Sequence, residues 1–272
     1  MPTLDDNKKT WDGIYDWSKL GDEWSESWGG PIMQWYGTIL PRIHHFLPTG
    51  NVLEIACGYG RWTHFLKDLC KTLEVLDLSD ECIQACRKRF SDSVNIKYHL
   101  NDGKSLEMIS DASIDFIFTF DSLVHADETV LKAYISQFPR ILTEDGAAFI
   151  HHSNLAEYYP LYKNIRKIPG LERLLKRLGL LEKSLHGRDF GVSAGIVESF
   201  AQAYGLKCIS QEVLTWGTKR THIDCFSILV KSTSSLARTK HFRRNNSFNQ
   251  EVHNLFELSK LYTIKGPTGS SV

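Results

Sequence analysis

Val52-Leu53-Glu54-Ile55-Ala56-Cys57-Gly58-Tyr59-Gly60-Arg61-Trp62-Thr63 is the stretch whose reading decides the fold. Its apolar opening is a buried strand, and a Gly-x-Gly turn ends it. An amphipathic helix is expected to follow from Trp62 to Cys70. Strand, glycine turn and helix bring backbone N–H groups against a nucleotide-like ligand. Glycine permits the tight turn and a close approach that a Cβ would block.

Downstream the pattern repeats. Leu73 to Asp77 reads as a second strand ending in a carboxylate. A helix capped by Ser79 or Asp80 then carries Cys82, Ile83, Cys86 and Phe90 on one face. Asn95 to Leu100 is a third strand, closed by the loop Asn101-Asp102-Gly103. Ser113 to Phe120 is a fourth, running into Asp121-Ser122-Leu123-Val124-His125 and a helix from Glu128 to Leu142. Ala147 to Ile150 is a fifth, ending in His151-His152-Ser153-Asn154. Strands alternating with helices at this pace predict a parallel sheet covered on both faces. Its ligand should lie at the carboxyl ends, where Gly58, Asp77, Asp102, Asp121 and His152 are all placed.

The flanks are different in kind. Residues 1–50 hold Trp11, Trp17, Trp24, Trp28 and Trp35 and read as a helical, aromatic segment, with Trp28-Gly29-Gly30 as the turn of a lid over the ligand. Residues 155–190 read as a helical insertion, basic from Tyr162 to Lys183, that could close over an acceptor. Residues 193–204 form a helix. Lys207 to Ser210 and His222 to Val230 make an antiparallel pair, joined around Trp216-Gly217. Residues 232–272, rich in Ser, Asn, Lys and Arg, read as a flexible tail with one helix at most.

Bulk properties bound the function. The 272 residues are 42% apolar and 24% charged, with a formal net charge of zero. Such a balance disfavours a general nucleic-acid binder. No apolar run reaches the roughly 20 residues of a membrane span, and the polar N-terminus is no signal peptide. The six cysteines lack metal-ligand spacing and read as reduced core residues of a cytoplasmic protein.

A dinucleotide site wants a third glycine after Gly60, and a phosphate loop wants Gly-Lys-Ser/Thr; neither is present. Glu54-x-Ala56-x-Gly58-x-Gly60, followed by Asp77 and then Asp102, instead resembles the class I S-adenosylmethionine (SAM)-dependent methyltransferases. The first glycine of that family's motif is replaced here by Ala56. The resemblance spans about residues 50–231 and implies a seven-stranded Rossmann-like sheet, mostly parallel with an antiparallel last strand. It implies that Glu54, Ala56, Cys57, Gly58 and Gly60 line the methionine part of SAM. Asp77, with Leu78 beside it, would take the ribose hydroxyls, and Asp102 with Gly103 the adenine; Trp28 would close from the lid. More loosely, Asp121 to His125 together with His151 to Asn154 looks like bacterial small-molecule and sugar O-methyltransferases.

Methyl transfer to a hydroxyl calls for a base of pKa near 7. His125 and His152 are the expected candidates, with Asp121 orienting a base. His151 and His152 point to opposite faces of a strand, so at most one can serve. A divalent metal held by Asp121 and two histidines is the lesser reading. The expectation is transfer from SAM, leaving S-adenosylhomocysteine (SAH), to a small-molecule hydroxyl such as a sugar's. The alternatives are N-methylation of a small amine, or a non-catalytic SAM-fold scaffold. The basic segment 162–183 also allows peripheral contact with anionic lipid.

Overall fold

A computed structural model describes residues 4–216 and 221–262. Eight strands form one sheet: β1 (Thr49–Ile55), β2 (Cys70–Asp77), β3 (Ile96–Leu100), β4 (Ile114–Thr119), β5 (Leu142–Ser153), β6 (Leu206–Leu214), β7 (Asp224–Lys231) and β8 (His241–Asn245). They lie in the order β3-β2-β1-β4-β5-β7-β6-β8. β1 to β5 pair in parallel, and β7 runs antiparallel to both β5 and β6. The expected Rossmann-like sheet with an antiparallel member is therefore present, with eight strands rather than seven.

Among the described residues ten α-helices surround it: α1 (Leu4–Lys9), α2 (Pro31–Gln34), α3 (Leu40–Ile43), α4 (Thr63–Leu66), α5 (Asp80–Arg89), α6 (Glu128–Ile141), α7 (Tyr159–Ile165), α8 (Leu171–Arg177), α9 (Ala194–Ala203) and α10 (Phe248–Tyr262). Side-chain alternation along the strands gives the sheet two apolar faces. One face, with Val52, Val75, Phe118 and Phe149, packs against Trp35, Ile39 and Ile43 of the N-terminal segment, α5 and α10. The other, with Leu53, Ile55, Ile117 and Ile150, packs against α6 and α9. Side-chain oxygens cap three helices: Ser79 accepts from Cys82 N–H, Asp127 from Val130 N–H and Ser193 from Ile196 N–H. Each cap satisfies a donor left open by the helix and is worth about 1 kcal/mol.

Three expectations need correction. The helix from Trp62 to Cys70 is only the single turn α4, because Cys70 already pairs as the first residue of β2. The fifth strand runs well beyond Ala147–Ile150 and carries both histidines inside it. The C-terminal tail is ordered through Tyr262: β8 pairs in parallel with β6, and α10 buries Phe248 and Val252. A partly buried ion-pair cluster holds it, in which Arg42 bonds Glu212 at 2.7 Å and Glu251 at 2.9 Å. Gly217 of the expected β6–β7 link and residues 263–272 lie outside the described residues.

Candidate active site

A cavity of about 610 Å³ opens at the carboxyl ends of β1, β2 and β4. Its floor is the turn after β1. Ala56 takes a left-handed conformation (φ 61°), as do Gly58 (φ 54°) and Gly60 (φ 84°). A non-glycine residue held there stores about 1–3 kcal/mol and needs surroundings that fix it. Two contacts do so: Ala56 N–H donates to Leu76 O at 2.8 Å, and Ser122 Oγ donates to Ala56 O at 3.2 Å.

The two glycines serve different neighbours. Gly58 lines the cavity, and a Cβ on it would come 3.2 Å from the Trp17 ring. Gly60 does not line it; a Cβ there would meet Phe90 at 2.4 Å and Cys86 Sγ at 3.0 Å. Gly60 is thus a packing glycine beneath the loop, where a ligand contact was expected.

Asp77 ends β2 at the cavity wall, accepting from Gly58 N–H at 2.9 Å and Ser79 N–H at 3.0 Å. Burial raises its carboxyl to about 6, against the pull of those donors. Leu78 and Cys57 line the cavity as expected. Glu54 does not reach it. It is buried beneath the turn, where Thr63 Oγ1 donates to one oxygen at 2.5 Å and the other oxygen has no partner. Burial lifts this carboxyl to about 8.

Asp102 does not line the cavity. Its carboxylate accepts from Lys104 N–H (2.8 Å) and Ser105 N–H (2.6 Å), capping its own loop and lowering its pKa. Asn101 and Gly103 form the wall there instead.

The N-terminal segment covers the mouth. Leu4 packs against Gly103, and Trp17 stacks on Tyr59 with ring centroids 4.4 Å apart. Trp11 and Trp24 line the cavity from above. Trp28 does too; it is fully buried and donates from Nε1 to Thr38 Oγ1 at 3.0 Å.

The far end is a charged relay across five parts of the chain. Asp121, after β4, has φ 62° and accepts from Arg61 Nη2 at 2.9 Å. Asp121 N–H donates to His151 Nδ1 at 3.1 Å, which leaves the proton of the neutral ring on Nε2. Nε2 lies 3.4 Å from Asp224 Oδ2, at the start of β7. Arg188, from the insertion, grips Asp224 through Nε and Nη2, and Trp216 Nε1 donates to the same carboxylate. Burial alone would raise the Asp121 carboxyl, but His151 and Arg61 hold it below the usual range. Burial would likewise depress His151, and the flanking carboxylates raise it instead. Of the relay, Asp121, Arg61 and Arg188 line the cavity.

His125 lines the cavity between the N-terminal segment and the insertion, with its ring centroid 6.4 Å from that of Trp11. Burial, and then the Arg188 charge, depress its pKa. His152 is a correction. It faces away from the cavity, fully buried, with Nδ1 at 2.8 Å from Ser153 O and Nε2 at 2.8 Å from Ser227 Oγ. Strand alternation gives His151, not its neighbour, to the face of the relay. Arg61 and Asp224 have no motif of their own. The available signal for Asp224 was a lone carboxylate opening an apolar strand, which requires a buried partner. Among the described residues no three His, Cys, Asp or Glu side chains are grouped to hold a metal ion.

Residues 52–146 match a family described as a methyltransferase domain. Phosphoethanolamine N-methyltransferase 1 of Caenorhabditis elegans is 26% identical over 114 residues, which is 42% of this chain and only 23% of that protein. The magnesium protoporphyrin IX methyltransferase of Synechocystis PCC 6803, solved with bound SAH, superposes with a TM-score of 0.55. It is 14% identical, over 83% of this chain and 98% of that one. The PH0226 protein of Pyrococcus horikoshii OT3 superposes with a TM-score of 0.53 at 20% identity, over 82% and 95% of the two chains. These structural likenesses are likenesses of fold.

Proposed function

We propose that this chain, a class I SAM-dependent methyltransferase by its central domain and its sheet, methylates a hydroxyl of a small molecule with His125 as general base. SAM, when bound, supplies a methyl group on a sulfonium, an electrophile that needs no activation by the protein. The residues present suit it. Gly58 leaves room for close approach, and Asp77 offers a carboxylate to hydroxyl donors, a pairing about twice as strong as a neutral one.

The observation that carries the hydroxyl reading is His125, which lines the cavity with a pKa held below 6.5. A neutral imidazole at pH 7 takes a proton as the acceptor oxygen attacks, a contribution of about 10²–10⁴-fold. Trp11, Trp24 and Trp28 exclude water around it and give flat faces for a ring such as a sugar to stack on. Asp121, held ionised and in place by Arg61 and His151, positions the acceptor.

N-methylation of a small amine is the second reading. Glu23 and Asp121, set among tryptophans in the cavity wall, would attract a cationic amine, and the curated relative is named as an N-methyltransferase. Methyl transfer from labelled SAM to a panel of sugars and amines across pH separates the two. A base-assisted hydroxyl gives a rate that levels off above the His125 pKa. An amine acceptor, which must itself lose a proton, gives a rate still climbing at pH 9. Failure of SAM and SAH alike to bind in calorimetry would sink both and leave a scaffold.

A further inference from the structure

We propose that the insertion between β5 and α9 is a docking surface for an anionic lipid bilayer. Residues 162–183 hold seven basic side chains against two acidic ones in a chain of zero net charge. Two short helices, α7 and α8, and the turns after them carry this charge. Their inner side is accounted for by a small cluster in which Tyr162, Ile165 and Leu181 are buried against Leu171, Leu175 and Phe190.

That cluster does not use all the apolar surface. Along α8 and its C-cap, Leu171, Leu174, Leu175 and Leu178 form one stripe, as i, i+3, i+4 and i+7 must. The stripe is wider than its neighbours cover: Leu174 is 51% exposed and Leu178 61%. Leu161 and Ile168 are exposed to 46% and 57% in the same insertion. A solvated face would carry polar residues at these positions.

Charge identifies the occupant. Glu172 is already matched by Arg166 at 3.1 Å and Lys176 at 2.9 Å. Arg173, Arg177 and Lys183 are exposed and pair with no carboxylate among the described residues. Exposed leucines flanked by unmatched cations fit a surface with apolar depth and negative headgroups. No helix of the described residues is long and apolar enough to cross a membrane, so the contact is peripheral. The chain that leaves this surface returns through His186 and Arg188, both in the cavity wall. Docking therefore bears on the mouth of the cavity, although the surface stands independently of what the cavity methylates.

Co-flotation with vesicles tests it, comparing phosphatidylcholine alone with phosphatidylcholine mixed with phosphatidylglycerol. Binding is expected only to the mixed vesicles, and it should fall as salt is raised. Each basic side chain near the surface is worth about fivefold, so Arg173→Gln/Arg177→Gln/Lys183→Gln should weaken binding on the order of a hundredfold. Leu174→Ser/Leu178→Ser should weaken it independently, with an unchanged circular dichroism spectrum because both side chains are exposed. Equal binding to neutral vesicles, or binding that both variants retain, would overturn the proposal. So would capture of duplex DNA or RNA in place of vesicles, or self-association that the leucine variant abolishes without any vesicle binding.

Discussion

Arg61 Nη2 donates to Asp121 Oδ2 at 2.9 Å, tying the loop after β1 to the loop after β4. One loop is proposed to carry the methyl donor and the other the acceptor, so this bond fixes their separation. Arg61 is 5% exposed, sandwiched 4.3 Å from the Trp62 ring centroid and 5.2 Å from that of Trp24. Asp121 keeps 20% of its side chain exposed. Breaking a buried pair from one side costs about 3–5 kcal/mol, and partial exposure of Asp121 brings the expected figure to about 2–4. Arg61→Met should lower urea-unfolding stability by that amount. Asp121→Asn keeps a residue that tolerates positive φ and should cost less. Combining the two should cost less than their sum, as neighbours in one network do. A simple sum would mean that the pair is not coupled.

Replacing His125 by Ala should reduce kcat by about 10²–10⁴-fold and change the SAM dissociation constant by no more than a few-fold. The wild-type rate should rise with pH through a histidine pKa held below its ordinary value and then level off, since burial and Arg188 both oppose its protonation. Burst kinetics and calorimetry on the same preparation separate the two constants. Equal losses in both would reduce His125 to a wall residue.

Glu54 makes stability depend on pH with a definite sign. Its carboxyl is lifted from 4.5 to about 8 by burial. The folded state therefore binds the extra proton between those values, and that stabilisation is lost as pH rises from about 5 to about 8. At about 1.4 kcal/mol per unit, the loss is roughly 3–5 kcal/mol. Glu54→Gln cannot lose a proton. Relative to wild type it should gain stability steadily over this range in denaturant titrations without ligand. A stability difference that stays constant with pH would place the ionisation elsewhere.

The sheet through β5 was legible because each strand is an apolar run closed by Gly, Asp or Asn, signals local to a few residues. What escaped is held over long distances in sequence. β8 and α10 have the polar composition of a tail, and they are ordered by Arg42, which meets Glu251 more than two hundred residues away. The relay escaped for the same reason. Arg61, His151, Arg188 and Asp224 lie in four separate segments, and only the pairing of β5 with β7 sets Ser153 opposite Asp224 and brings its carboxylate to His151. Asp77 could be placed at the cavity because it closes β2, and His125 because it lies in the short stretch between β4 and α6. His152 was misread where one residue of register decides the face. Asp102 caps its own loop with one oxygen, a turn role that the same residue type fills as readily as a ligand contact.

Gly58 and Gly60 are two residues apart and should fail differently when each is changed to Ala. Both have positive φ, so each substitution carries a backbone strain of about 1 kcal/mol or more. At Gly60 the new methyl also meets the Phe90 ring at 2.4 Å and Cys86 Sγ at 3.0 Å, both buried under the loop. Overpacking of that kind adds about 1–3 kcal/mol, so Gly60→Ala should be recovered as a destabilised protein whose SAM affinity falls in step with its stability. At Gly58 the methyl points at Trp17, 3.2 Å away, on a segment held from the N-terminal side of the cavity. Trp17 can yield by swinging off Tyr59. Gly58→Ala should therefore unfold within about 1–2 kcal/mol of wild type while losing far more SAM affinity than Gly60→Ala does, and its tryptophan emission should shift to the red as Trp17 meets water. Melting curves and SAM titrations of the two variants side by side read this directly. The same ratio of affinity loss to stability loss in both would mean that Gly58, like Gly60, is there only for packing.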